Sequence, residues 1–143
     1  MRELKGKLWL ALNLANEGHT VIFGEENDIN ENIMKNDIDI YFSNSAVYSD
    51  KRIRRLSALK QAGVRIFILD TEGGVYTSES QYLYRLSPTI LQHSDKFLAW
   101  GENQAKILQN NRGVSSEKII VTGNPRFDVI QGGLRGIYKG GAD

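Results

Sequence analysis

Two carboxylates and two glycines stand together at Asp70-Thr71-Glu72-Gly73-Gly74, directly after the apolar run Val64 to Leu69. A carboxylate at the end of a buried strand is a candidate general base or an acceptor for a sugar hydroxyl. Paired glycines allow a ligand to approach the backbone closely. A plainer reading uses the same residues: Asp70 caps a turn, Glu72 is solvated and the glycines supply the bend. Residue types alone leave the two readings evenly balanced.

In open α/β sheets ligands bind outside the carboxyl ends of the strands. Besides the Asp70 loop, those positions are Gly24-Glu25-Glu26, Ser43-Asn44-Ser45, Gly101-Glu102-Asn103 and Thr122-Gly123-Asn124. Turn and cap chemistry accounts for Ser43, Gly101 and Asn124. Gly123-Asn124-Pro125-Arg126-Phe127-Asp128 reads as a capped helix start, an anion site that Arg126 would strengthen, or a plain helix start with Phe127 as packing anchor. His19 falls at a turn on the far edge of the sheet. His93 has no second histidine nearby, so no metal site is expected. Trp9 and Trp100 read as core. No G-x-G-x-x-G and no Walker loop occurs, so dinucleotide and P-loop chemistry lack direct support.

The elements that must position these residues alternate. Leu4, Leu8, Ala11, Leu12 and Ala15 recur at helical spacing, predicting a helix over 2–17 ended by Gly18. Leu10 and Leu14 widen that face, as for a helix pressed on a sheet. A strand is expected at Thr20–Phe23, a short helix over 28–36 with Asp28 as N-cap, and a strand at Ile38–Phe42. A helix at Asp50–Ala62 then leads to a strand at Val64–Leu69. Residues 78–92 read as helical with a break at Pro88. A strand at 96–100, a helix at Glu102–Gln109, a strand at Lys118–Val121 and a short helix from Pro125 complete the order. Short apolar strands alternating with helices predict an α/β, Rossmann-like domain: a mainly parallel open sheet flanked by helices. The domain is expected over 1–130, with 131–143, five of whose residues are glycine, a linker or frayed tail.

The chain's 143 residues suffice for one domain with a real core. Eighteen Lys and Arg against 17 Asp and Glu give a net charge of +1, which argues against a broad nucleic-acid-binding face. Without cysteine there is no disulfide, thiolate nucleophile or thiolate-ligated metal. The longest apolar run, Leu8–Leu12, is too short to span a bilayer, and charged residues interrupt the N-terminus, unlike a signal peptide. A cytoplasmic location is expected.

Taken together, the opening helix through "HTVIFG", "DTEGG", "WGENQAKIL" and "VTGNPRFD" resemble the N-terminal half of bacterial surface-carbohydrate biosynthesis proteins, which are glycosyltransferase-like with the GT-B plan of two facing Rossmann-like domains. The resemblance covers residues 2–135. It implies sugar transfer from a nucleotide-activated donor to a surface glycan, at the cytoplasmic face of the membrane and with at most peripheral attachment. It also implies no metal or other cofactor, because helix dipoles and basic residues offset leaving-group charge in that plan. Mapped here, Asp70 and Glu72 become base or acceptor-contact candidates. Glu25, Asn44, Gly73, Gly74 and Glu102 line the same edge, and Asn124 and Arg126 face the interdomain cleft.

Two departures from that plan matter. The chain opens in a helix where such domains open with a strand, and no donor domain follows. The expectation is a fragment or one half of a split enzyme, inactive in transfer by itself, whose donor grip comes from a C-terminal domain or partner chain. The alternatives are a non-catalytic Rossmann-like module that holds a glycan or protein, and part of a nucleotide-sugar 2-epimerase-like enzyme.

Overall fold

The computed structural model describes residues 3–25, 28–29 and 33–130. The expected tail 131–143 and Glu26 therefore lie outside the described residues. The chain divides into two compact units, Met34–Gly123 and a smaller one formed by Met1–Ile33 with Asn124–Asp143.

The larger unit is an α/β domain. Its strands are β1 (Ile40–Ser43), β2 (Arg65–Ile68), β3 (Lys96–Ala99) and β4 (Ile119–Val121). They form one four-stranded sheet in the order β1-β2-β3-β4, every pair parallel. Between them run α2 (Asp50–Gln61), α3 (Glu79–Arg85), α4 (Pro88–His93) and α5 (Glu102–Arg112). Because the order never reverses and parallel crossovers are right-handed, these four helices fall on one side of the sheet. The burial pattern agrees. Ile66, Ile68, Phe97 and Ala99 share one face and are fully buried. The other face carries Phe42, Phe67, Leu98 and Ile120, none of them fully buried.

Local chemistry sets the helix limits. Ser49, Ser78 and Ser87 each accept a hydrogen bond from the backbone N–H three residues on, at Arg52, Gln81 and Ile90. The single helix expected over 78–92 is two, because Pro88 cannot continue α3 and instead occupies the first turn of α4. α5 runs past Gln109 to Arg112, where Gly113 turns left-handed at φ 61°.

The smaller unit holds α1 (Leu4–Asn16) and the one-turn α6 (Pro125–Asp128). They pack through Gly6: a Cβ there would lie 2.6 Å from the backbone nitrogen of Arg126. α1 ends as expected, with Gly18 at φ 92°. Its apolar side is less covered than expected, and Leu4, Leu8 and Leu12 are exposed. Phe127 is also exposed rather than an anchor.

The strand expected at Thr20–Phe23 is not formed. A β-branched run has the side chains for a sheet but gains stability only from a neighbouring strand, and no described strand pairs with it. Val64–Leu69 does not pair with it either, since β2 lies between β1 and β3. Of the helix expected over 28–36, the described part is helical backbone at Asp28 and Ile29 and a 3-10 turn at Ile33–Lys35.

Candidate functional site

The Asp70 loop leaves the carboxyl end of β2, a central strand, and is bound into the domain from several directions. The Thr71 N–H donates to the Asn44 carbonyl at the end of β1, 3.2 Å away. Asp70 Oδ1 accepts from the Glu72 N–H at 3.3 Å, the turn that the plainer sequence reading anticipated. The Trp100 indole N–H, beyond β3, donates to the Asp70 carbonyl at 2.7 Å. Its backbone N–H donates to Gln104 Oε1 at 2.6 Å, and Gln104 Nε2 donates to the Tyr82 hydroxyl. Tyr76 stacks on Tyr82 with ring centroids 4.8 Å apart. Side chains from α3 and α5 and two strand ends thus converge under one loop.

Both glycines meet these partners directly. A Cβ on Gly73 would fall on the Gln104 amide, and one on Gly74 on the Trp100 ring. Close packing therefore favours glycine at both positions, against the Trp100 ring at Gly74 and against the end of the hydrogen-bonded Gln104 side chain at Gly73, whether or not a ligand ever approaches them. Neither glycine has a left-handed backbone.

The two carboxylates behave differently. Asp70 is 1% exposed, and its Oδ2 has no hydrogen-bond partner among the described residues. Burial pushes its carboxyl above the ordinary aspartate value; the Glu72 N–H, the Arg85 charge and the Tyr82 hydroxyl oppose the rise, and the Glu72 charge adds to it. Glu72 points outward, its side chain 60% exposed. Arg85 Nη2 joins the two, lying 2.9 Å from Glu72 Oε2 and 3.7 Å from Asp70 Oδ1. Desolvation, with the Asp70 charge next, pushes the Tyr82 hydroxyl far up, so it stays a donor. A ligand outside this edge would meet the Glu72 carboxylate first, with Arg85 fixing its direction. Asp70 would act only through the groups it holds.

The sequence-derived residues fall into two groups. Asn44, Asp70, Glu72, Gly73 and Gly74 lie together, and Glu102 opens α5, the helix that carries Gln104. Glu102 is exposed in the first turn, where its charge suits the helix dipole. Glu25, Asn124 and Arg126 belong to the smaller unit. Glu25 is exposed, and its carbonyl accepts from the Ile29 N–H. Asn124 is buried and caps α6 by accepting from the Arg126 N–H at 3.1 Å. Arg126 pairs with Glu3 at 3.1 Å.

Four residues of the site were not singled out for it from sequence: Tyr82, Arg85, Trp100 and Gln104. Tyr82 and Arg85 share the α3 face at spacing three, and Gln104 follows Glu102 closely; neither signal names a partner in another element. Trp100 reads as core and is half-buried, but its indole N–H is committed to the loop. No group of three or more His, Cys, Asp or Glu suited to a metal ion occurs among the described residues. No helix among them is long and apolar enough to cross a membrane. No family model, curated protein or solved structure matches the chain.

Proposed function

We propose that this chain is the acceptor side of a sugar-transfer enzyme, one that moves a sugar from a nucleotide-activated donor to a bacterial surface glycan. The observation that carries the reading is the exposed Glu72 carboxylate, held by Arg85 at the carboxyl end of a central parallel strand. Glu72 takes the proton of the acceptor hydroxyl as that oxygen attacks the sugar's anomeric carbon and the nucleotide leaves. Arg85 and Asp70 are positioning residues: one orients the carboxylate, and the other anchors the turn that presents it. The donor nucleotide belongs on a facing domain or partner chain, as the surface-carbohydrate resemblance implies.

Nitrogen-15 NMR titration of the full chain with oligosaccharides from bacterial surface polysaccharides tests this reading. Shifts confined to Asn44, Thr71–Gly74 and Glu102 support it. No shift, or shifts elsewhere, would overturn it. Glu72→Gln should retain binding and lose transfer wherever donor-side activity is supplied.

A second reading, a non-catalytic glycan- or protein-binding module, draws on the seclusion of Asp70, whose carboxyl serves its own turn. Binding that Glu72→Gln leaves intact, with no turnover when a donor and its binding domain are added, would favour that module.

A further inference from the structure

Among the described residues there is a strand-forming segment without a sheet and a sheet edge without a strand. Thr20-Val21-Ile22-Phe23 makes no backbone hydrogen bond to any described residue, and Ile22 and Phe23 are 50% and 43% exposed. Nearby, α1 leaves Leu4, Leu8 and Leu12 exposed along one side. At the sheet, β1 is an edge strand. The carbonyls of Asp39 and Ser43 accept from Arg65 and Leu69, so odd-numbered residues of this strand face β2. By the alternation of a strand, the N–H and C=O groups of Ile40 and Phe42 point outward. Phe42 is 38% exposed, with its ring edge-on to Phe67.

We propose that Thr20–Phe23 of a second copy of this chain adds to the β1 edge, in parallel, and that the exchange is reciprocal. Among the described residues the segment joins no sheet, whereas the edge presents what a strand requires: two outward donors, two outward acceptors and an apolar neighbour. Charge selects the direction. Parallel addition sets His19 beside Asp39, an N–H donor against a carboxylate. Antiparallel addition of the same four residues sets Gly24 there instead, which offers the carboxylate no side-chain partner. α1 ends just before the segment and would bring its leucine side up to the partner's sheet. Leu4, Leu8, Leu12, Ile22, Phe23 and Phe42, counted in both copies, supply on the order of 1,000 Å² of surface, the size at which specific interfaces begin. The contact is symmetric and closed, so it stops at a dimer. It is independent of the sugar-transfer reading.

The test is sedimentation equilibrium of the full chain with amide hydrogen exchange across a range of concentrations. The expected result is a dimer in which the amides of Ile22, Ile40 and Phe42 gain protection together. Ile22→Lys alters only the added strand, at an exposed position. Ile40→Pro removes an outward N–H at the first position of β1, where proline is tolerated. Each should weaken association by at least about tenfold. Mixing the two variants restores one intact junction, the Ile40→Pro strand on the Ile22→Lys edge, and should recover part of the dimer. A monomer at every concentration overturns the proposal, as does a dimer indifferent to both variants. Protection of Thr20–Phe23 in a monomer overturns it too, because the segment would then pair within its own chain.

Discussion

Asp95 and Asp70 lie at opposite ends of the same sheet and meet opposite surroundings. Asp95 precedes β3 at the amino end. One of its oxygens accepts from Lys60 Nζ at 2.7 Å and the other from the Ile66 N–H at 2.7 Å. Burial is the largest single influence on its carboxyl and pushes it up. The Lys60 hydrogen bond, the Ile66 N–H and the charges of Lys60 and Lys118 outweigh that and hold it below the ordinary value. Asp70, at the carboxyl end, is far more buried, uses one oxygen and is held above the ordinary value. The amino end is a completed ion pair at the surface. The carboxyl end keeps an incompletely compensated acid beneath an exposed one, an arrangement more typical of a site than of a brace.

The largest test of that contrast is Tyr82→Ala. It empties a fully buried aromatic position beneath the loop and should cost about 3–5 kcal/mol in chemical denaturation. If Tyr82 proves dispensable, the polar network does not hold the loop. Gly74→Ala should cost about 1–3 kcal/mol, because the added methyl meets the Trp100 ring and either the ring or the turn must move. A neutral result would show that the loop yields freely.

The pH dependence separates the two acids by sign. For Asp70 the folded value exceeds the unfolded one. Its stabilisation is full below the ordinary aspartate value and lost as pH rises through the raised one. For Asp95 the stabilisation is present above the ordinary value and lost as pH falls through the depressed one. Melting temperature measured from about pH 2 to 7 should therefore lose its fall with rising pH in Asp70→Asn and its fall with acid in Asp95→Asn. Slopes of the same sign would refute the assignment. The smallest effect is expected from Lys60→Ala. The two side chains are 38% and 31% exposed, so loss of the pair should cost no more than about 1 kcal/mol.

The four strands were legible because each is a short apolar run ended by turn residues, and alternation with helices implied parallel pairing. Thr20–Phe23 carried the same signature and failed, because a strand requires a neighbour and composition does not reveal whether one is present. The turn at Asp70 was legible for a similar reason: Asp-Thr-Glu-Gly-Gly encodes its own bend. Its partners were not. Trp100 lies 30 residues from Asp70 and Gln104 lies 22 from Tyr82, and only the folded sheet brings them together. Arg85 carries no signal of its role in the sequence, because only the fold places two carboxylates before it.

The indole of Trp100 donates to the Asp70 carbonyl and backs onto Gly74, which makes it an optical gauge of the loop. The chain has two tryptophans, and the other, Trp9, is in α1. In a Trp9→Phe background the remaining emission comes from this one ring. If the Asp70–Gly74 turn lifts, the indole loses its acceptor and meets water. Its emission should then shift red and become accessible to iodide, so opening of the loop is readable in solution without an attached dye.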